Sequence, residues 1–195
     1  MRLCQAIPAC LATLCLSGIC LSGPALADTV SDALDAASAA YAAGDLNKAA
    51  AGITTAGKEI AAMQSGMLLA LFPPAPEGWT RSDNTDMAQG LSMMGGGSGA
   101  EATYADAEGL TITLSAYADN MMVQTFAGVL GNAQMMAMMG KTVEINGVTF
   151  LEQEGQTTMA LLENRVLLQA NGEAAKAQEL IGQMDLAKLG KFDTP

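Results

Sequence analysis

One segment of the chain, from Lys141 to Ala170, constrains the fold more than any other, because apolar and polar residues alternate in it between turn signals. Asn146-Gly147 is typical of a two-residue hairpin turn, and Glu154-Gly155 and Glu163-Asn164 suit the two turns that follow. The segment therefore predicts a meander of four antiparallel strands. Two-residue turns would place one set of side chains on a single apolar face: Val143, Ile145, Val148, Phe150, Met159, Leu161, Val166 and Leu168.

The register of this meander follows from the turn lengths. In the predicted register Phe150 pairs with both Val143 and Met159, and Lys141 lies opposite Glu152, which is a favourable pair of charges. A slip of one residue would turn a whole strand over. The opposite face also carries several leucines, so we expect another part of the chain to cover some of it.

The rest of the chain predicts an α+β fold. Alternation predicts further strands at residues 78–81, 100–104 and 110–117, and helical periodicity predicts helices at 30–43, 46–71, 121–139 and 173–184. The predicted architecture is an N-terminal helical hairpin followed by an antiparallel sheet of about six strands. The central and C-terminal helices are expected on the apolar face of that sheet. The hairpin is expected beside the sheet or partly over its other face.

The first 27 residues have the composition of an export signal. Arg2 supplies a positive start, residues 6–21 are almost wholly apolar, and Ala25-Leu26-Ala27 provides the small residues of a signal-peptidase site. The apolar run is short for a bilayer span. We therefore expect cleavage between Ala27 and Asp28 and export to a bacterial periplasm. Beyond the signal we expect a helical hairpin at 28–72, a proline-rich connector at 73–77 and an α+β domain at 78–195.

The predicted hairpin contains a short resemblance to a known motif. Residues 33–56 resemble a single tetratricopeptide-type helical pair, with Tyr41, Gly44, Ala49 and Ala56 at the spacing of that motif. The resemblance implies two antiparallel helices that cross at small residues. A generic helical hairpin needs the same small residues, and solenoids need about three repeats. Both interpretations stay open, and no family is assigned to the whole chain.

Composition excludes several kinds of chemistry. Cys4, Cys10, Cys15 and Cys20 all lie in the predicted signal, and the chain has no histidine. After cleavage no residue remains for a disulfide, a Cys or His zinc site, a cysteine nucleophile or a Ser-His-Asp triad. A net charge of −11 excludes nucleic acids and anionic lipid headgroups as partners. We expect a protein that is not an enzyme and has no catalytic residue and no cofactor; an enzyme built on carboxylates, Ser or Lys is the remaining catalytic alternative.

Methionine is the one compositional excess, with 14 in the chain. Met135, Met138 and Met139 can share one face of the predicted central helix, and thioether sulfur is a soft ligand for Cu(I). Methionine also packs well in irregular apolar gaps, and we expect this role, together with partner contact, rather than a metal site. The predicted function is that of an exported, non-catalytic interaction or accessory protein with an unidentified protein partner in the cell envelope. A periplasmic protein that binds copper or a small apolar ligand through the methionine-rich helix is the alternative.

The predicted export signal can be tested directly. Because the small residues of Ala25-Leu26-Ala27 follow the apolar run, the exported protein is expected to begin at Asp28. N-terminal sequencing of periplasmic material measures this. A chain that begins at a lipid-modified Cys20, or that keeps its first residues, would contradict the prediction.

Overall fold

The computed structural model describes residues 26–84, 87, 90, 91 and 96–194. Residues 1–25, most of the predicted export signal, lie outside these ranges. The described helices are α1 (Leu26–Ala42), α2 (Leu46–Ala70), α3 (Met121–Leu130), α4 (Ala133–Met139), α5 (Ala174–Gly182) and α6 (Leu186–Gly190). The described strands are β1 (Trp79–Asn84), β2 (Ser98–Asp106), β3 (Thr111–Ala118), β4 (Lys141–Ile145), β5 (Val148–Gln153), β6 (Thr157–Leu162) and β7 (Val166–Asn171).

The strands form one antiparallel sheet in the order β1-β2-β3-β7-β6-β5-β4. The α+β class and the meander of β4 to β7 are therefore confirmed, although the described sheet has seven strands rather than about six. Strand β7 also pairs with β3, so it joins the meander to the earlier strands. The first hairpin has the predicted register: Val143 pairs with Phe150, and Lys141 Nζ lies 3.3 Å from a carboxylate oxygen of Glu152.

The predicted register of the next two hairpins is wrong by one residue in each. Leu151, not Phe150, pairs with Met159, and Leu161 pairs with Leu167 rather than Val166. Both loops contain three residues instead of two. Two left-handed residues open each loop, as the sequence indicates, but a further residue, Gln156 or Arg165, follows before the next strand begins.

The two slips have a simple consequence for the sheet faces. Each one-residue slip moves the side chains of the following strand to the opposite face of the sheet. The side chains of β6 therefore lie on the faces opposite to those predicted, whereas those of β7, which follows both slips, lie on the predicted faces. Met159 and Leu161 therefore lie on the opposite face from Phe150, and Ala160 and Leu162 take their places. The sequence of β6 could not decide this, because its residues are apolar on both faces.

Both faces of the sheet are buried, each under its own helices. One face, which we call the α5 face, packs against α5, α6 and the end of α2, and its core includes Phe150, Leu114 and Leu168. The other, which we call the α3 face, packs against α3 and α4, and its core includes Leu151 and Leu167. The expectation of a cover on the second face is confirmed.

The placement of two helical elements differs from the expectation. The central helix lies on the α3 face, opposite the C-terminal helix, and the end of the hairpin shares the α5 face with the C-terminal helix. The central helix is also divided into α3 and α4. Asn132 begins the second part, because its side-chain oxygen accepts hydrogen bonds from the backbone N–H groups of Gln134 and Met135 at 3.0 and 3.3 Å.

The end of α2 is fixed to the sheet by Arg81 and Tyr104. The Arg81 guanidinium donates hydrogen bonds to the backbone carbonyls of Leu69, Phe72 and Pro73, all at 3.0 Å, and so satisfies groups that a helix leaves open at its end. The Tyr104 hydroxyl donates to the Pro73 carbonyl at 2.7 Å. Burial raises the pKa of Tyr104 to about 12 although Arg81 lies close by, so the hydroxyl keeps its proton at neutral pH.

A second arginine joins four distant segments. Arg165, in the β6–β7 loop, forms paired hydrogen bonds with Asp119, before α3, and with Asp193, near the C-terminus, at distances of 2.6 to 2.9 Å. Gln64 of α2 donates to Asp193 at 2.8 Å. Hydrogen bonds from Arg165 and Gln64 hold the pKa of Asp193 below its ordinary value of 3.8. The Phe192 ring lies 5.2 Å from the Arg165 Cζ atom and completes the contact.

The lowered pKa of Asp193 predicts a pH-dependent contribution to stability. A carboxyl group with a lowered pKa stabilises the folded state above its unfolded pKa, near 3.8, and this contribution is lost as the pH falls through the folded pKa. Asp193→Asn is expected to lower the free energy of unfolding at pH 7 by about 1–3 kcal/mol. Denaturant titrations at pH 7 and at about pH 3 measure how much of that difference remains.

Glu144→Gln, which removes an exposed carboxyl group from β4, is the matched control and is expected to change stability little at either pH. An Asp193→Asn effect of the same size at both pH values would contradict the ion-pair explanation.

Candidate functional site

Four methionines on α3 and α4 form an exposed apolar surface. Their side chains are between 41% and 77% exposed, which is unusual for large apolar groups on elements that cover a sheet. We call this the methionine surface, and its members are Met121, Met135, Met138 and Met139.

The local geometry explains why these methionines point outward. Helix α4 turns its side chains by about 100° per residue, so one methionine faces the sheet and its neighbours face away. Met136 is the inward one; it is 4% exposed and packs in the core of the α3 face. The predicted packing role is therefore confirmed for Met136. Met135, Met138 and Met139 all lie on the outside, on the same short helix.

The segment that carries the methionine surface contains no charged residue. Residues 121–140 include neither an acidic nor a basic side chain, although the whole chain has a net charge of −11. The exposed residues between the methionines are small or neutral, such as Gln124, Gly128 and Ala137. Exposed apolar side chains on an uncharged segment are typical of contact sites, and flexible thioether side chains adapt to different partners.

The candidate copper ligands Met135, Met138 and Met139 lie within one turn of α4 and are accessible. Three thioethers offer soft, uncharged ligands for Cu(I) and nothing that would attract a harder ion. Among the described residues, no group of three or more Asp, Glu, His or Cys side chains is arranged to hold a metal ion.

A second exposed apolar surface lies on the N-terminal hairpin, and the sequence analysis missed it. Its side chains are between 39% and 70% exposed. We call it the hairpin surface, and its members are Leu34, Tyr41, Leu46, Ile53, Ile60, Met63 and Met67. The signal that could have revealed it is a spacing of seven residues, which relates Leu46, Ile53, Ile60 and Met67.

The hairpin has the antiparallel form that the resemblance to a tetratricopeptide-type pair implies. Gly44 adopts a φ of +78° in the turn, and Ala49 and Ala56 are buried. A Cβ atom at Gly52 would lie 2.8 Å from the Cβ of Ala37, so α1 and α2 pack closely along small residues. Tyr41, in contrast, is 70% exposed. The other described helices pack on the sheet instead of repeating this pair.

Two carboxylates near the end of β5, Glu152 and Glu154, and the single tryptophan of the chain are further candidates for a functional role. Glu152 forms an ion pair with Lys141 and accepts a hydrogen bond from Gln178 at 2.9 Å, whereas Glu154 is exposed in the β5–β6 loop. Trp79 packs against the core of the α5 face and so fixes the first strand. The crevice beside it holds about 70 Å³, which is small compared with the 300–1,000 Å³ or so of ligand pockets.

Comparison with known proteins adds no relative: no family, curated protein or solved structure matches the chain. None of the described helices is long and apolar enough to cross a membrane. The functional interpretation therefore depends on the two exposed apolar surfaces.

The buried and exposed methionines of α4 are expected to differ in how much their substitution lowers the free energy of unfolding. Met136→Ala removes a buried side chain and is expected to lower the free energy of unfolding by about 2–5 kcal/mol. Met138→Ala removes an exposed side chain and is expected to change it by no more than about 0.5 kcal/mol. Urea titration of both variants measures the difference, and comparable losses would show that α4 is rotated relative to this description.

Proposed function

We propose that the protein is an exported, non-catalytic interaction protein of the bacterial periplasm, and that its protein partner contacts the methionine surface. The observation that carries the proposal is the exposure of Met121, Met135, Met138 and Met139 on helices whose inner sides already fill the core of the α3 face. These four side chains contribute little to packing within the chain. Contact with a partner protein would explain why large apolar residues occupy these exposed positions.

The chemistry of the surface suggests the kind of contact. An uncharged segment of 20 residues in an acidic protein avoids both charge repulsion and specific ion pairing with a partner. Methionine side chains are unbranched and polarisable, so they adapt to an apolar segment of varied shape. A partner that presents apolar side chains, in a helix or an extended segment, fits this surface best.

The composition supports a role in the periplasm without catalysis. The export signal predicted at 1–27 contains every cysteine of the chain, and no histidine follows it. Acid–base and nucleophilic catalysis rely on histidine and cysteine more than on other side chains. Glu152, the most enclosed of the candidate carboxylates, is engaged with Lys141 and Gln178.

Site-specific photo-crosslinking in cells tests the proposal. A photoreactive residue at position 138, on the methionine surface, is expected to give a cross-linked product of defined mass. The same residue at Glu108, which is exposed in the β2–β3 turn, is the matched control and is expected to give none. Adding Met135→Lys and Met139→Lys should remove the product, because charged groups would have to be desolvated in the contact. Absence of the product at position 138, or equal yields at both positions, would contradict the proposal.

Binding of Cu(I) is the second candidate function, because Met135, Met138 and Met139 offer three accessible thioethers in one helical turn. Intact mass after incubation with Cu(I) distinguishes it from protein contact. Stoichiometric binding that is lost when all three residues are replaced with Leu would favour the copper function. The Leu variant keeps the apolar character of the surface, so partner contact alone would largely survive it.

A further inference from the structure

The hairpin surface carries a regular pattern along α2. Apolar and small residues recur at alternating intervals of four and three residues, which is the pattern of a seam between α-helices. The seam positions are Leu46, Ala50, Ile53, Gly57, Ile60, Gln64 and Met67, of which Gln64 alone is polar. Large side chains alternate with small ones over its first five positions, as in knobs-into-holes packing.

This seam is not the one that α2 uses to contact α1, although Gln64, near its C-terminal end, donates a hydrogen bond to Asp193 of the same chain. Helix α1 packs against a different line of residues, which includes Ala49, Gly52 and Ala56. The seam lies about one residue further around the helix, and its large members, Ile53 and Ile60, remain 62% and 43% exposed. A heptad seam that is left open in a folded chain indicates that another helix covers it.

Helix α1 extends the same surface. Leu34 and Tyr41 are exposed and lie one residue beyond the line of Ala33, Ala37 and Ala40, in which Ala37 and Ala40 are buried. In an antiparallel pair, an equal rotation beyond the contact line brings the residues of both helices to the same side of the pair. The two helices therefore present one continuous apolar side.

The charged side chains of α2 lie away from this side. Lys48, Lys58 and Glu59 occupy none of the seven seam positions. An apolar side without a basic rim is unsuited to a lipid surface, since helices that lie on membranes carry Lys and Arg along the boundary. It is suited to close contact with another uncharged helical surface.

Gly57 has no explanation within a single chain. It lies in the middle of a 25-residue helix, where glycine is unfavourable, and a Cβ atom there would meet nothing within 4 Å. It also lies at the centre of the seam, one turn from both Ile53 and Ile60. A second helix that crosses α2 at this point would account for a small residue here.

The seam is also nearly symmetrical about Gly57. Ile53 and Ile60 lie four residues before and three residues after it, and Leu46 and Met67 lie eleven before and ten after. An antiparallel copy of α2 would therefore place Ile53 against Ile60 of the second copy and Leu46 against Met67 of the second copy. Such self-complementarity is the condition for a two-fold symmetric contact.

The exposed area is sufficient for a stable contact. The seven members of the hairpin surface, at 39% to 70% exposure, together present on the order of 800 Å², which matches the share of about 800 Å² that each partner contributes to a standard interface.

We propose that two copies of this chain pair through the hairpin surface. Helix α2 lies antiparallel to α2 of the second copy, with the two-fold axis near Gly57, and the two hairpins form a four-helix bundle. This contact does not depend on the methionine surface or on the function proposed for it.

The mass of the purified, signal-cleaved protein in solution tests the pairing. Sedimentation equilibrium is expected to show a dimer with a dissociation constant in the micromolar range, from about 1 μM to about 100 μM. The double variant Ile53→Glu/Ile60→Glu is expected to raise this constant at least about tenfold, because it buries charge at the centre of the contact. Its melting temperature at low concentration should stay within a few degrees of the unaltered protein, since both positions are exposed in the single chain.

The matched control adds the same charge to the same helix outside the seam. Ala51→Glu/Thr55→Glu changes two exposed positions and is expected to leave the dissociation constant within about threefold of the unaltered value. This comparison separates loss of the seam from a general effect of added negative charge on an acidic protein.

A cysteine at the proposed two-fold axis gives a positive result that does not depend on affinity alone. The signal-cleaved chain has no cysteine, so Gly57→Cys introduces a single thiol that would meet its own copy. Mild oxidation is expected to link most of this variant into covalent dimers. Thr55→Cys, which lies outside the seam on the same helix, is expected to remain largely unlinked.

Three results would overturn the proposal. The unaltered protein could remain a monomer at the highest concentration measured, or its dimer could survive Ile53→Glu/Ile60→Glu unchanged, which would place the contact elsewhere. Equal cross-linking of Gly57→Cys and Thr55→Cys would show random collision rather than a fixed axis. None of these results bears on the methionine surface, so the function proposed above would be judged separately by its own cross-linking experiment.

Discussion

Burial of β7 on both faces is the constraint on which the rest of the structure depends. Val166, Leu167 and Leu168 are consecutive and fully buried, so their side chains enter both the α5 face and the α3 face. Strand β7 also pairs with β3 on one side and β6 on the other. A strand that is apolar on both faces at the centre of a sheet needs helices above and below it. The chain meets this need with the end of α2, α5 and α6 on one face and α3 and α4 on the other.

The same constraint explains the two exposed surfaces. Helices that cover a sheet use only one side for packing, and the other side is free for solvent or a partner. In α4 the inner side is Met136, and the outer side is the methionine surface. The hairpin extends beyond the sheet for most of its length, because only the end of α2 enters the core. Its packing along alanine and glycine leaves the larger residues of both helices outside.

Only two arginines follow the predicted signal, and the structure uses both to join separate segments. Arg81 attaches the end of α2 to β1, and Arg165 attaches Asp193, which lies beyond α6, to the β6–β7 loop. Their bonds are directed to carbonyl and carboxylate oxygens, for which the planar guanidinium is well suited. Both of these arginines therefore serve contacts within the fold, and neither the seam positions of α2 nor residues 121–140 include Lys or Arg. Contacts of the two apolar surfaces with other molecules would depend on shape and apolar area more than on charge.

The sequence by itself determined the elements whose signals are local. The Asn146-Gly147 turn and its register, the inward stripe of α5 and the turn between α1 and α2 all follow from residues within a few positions of one another. The packing role of methionine in the central helix was also predicted, because helical periodicity alone relates Met136 to Met122, Phe126 and Val129, which pack in the core of the α3 face.

Only the tertiary structure determined those features for which two faces of a strand or of the sheet are equally apolar. In β6 both faces are apolar, so the pattern could not fix a loop of two or three residues, and Met159 and Leu161 lie on the face opposite to the expected one. The sheet is apolar on both sides, so the pattern could not assign α3 and α5 to different faces. Alternation and periodicity indicate which residues are buried. The elements that they pack against are determined only when the whole chain is folded.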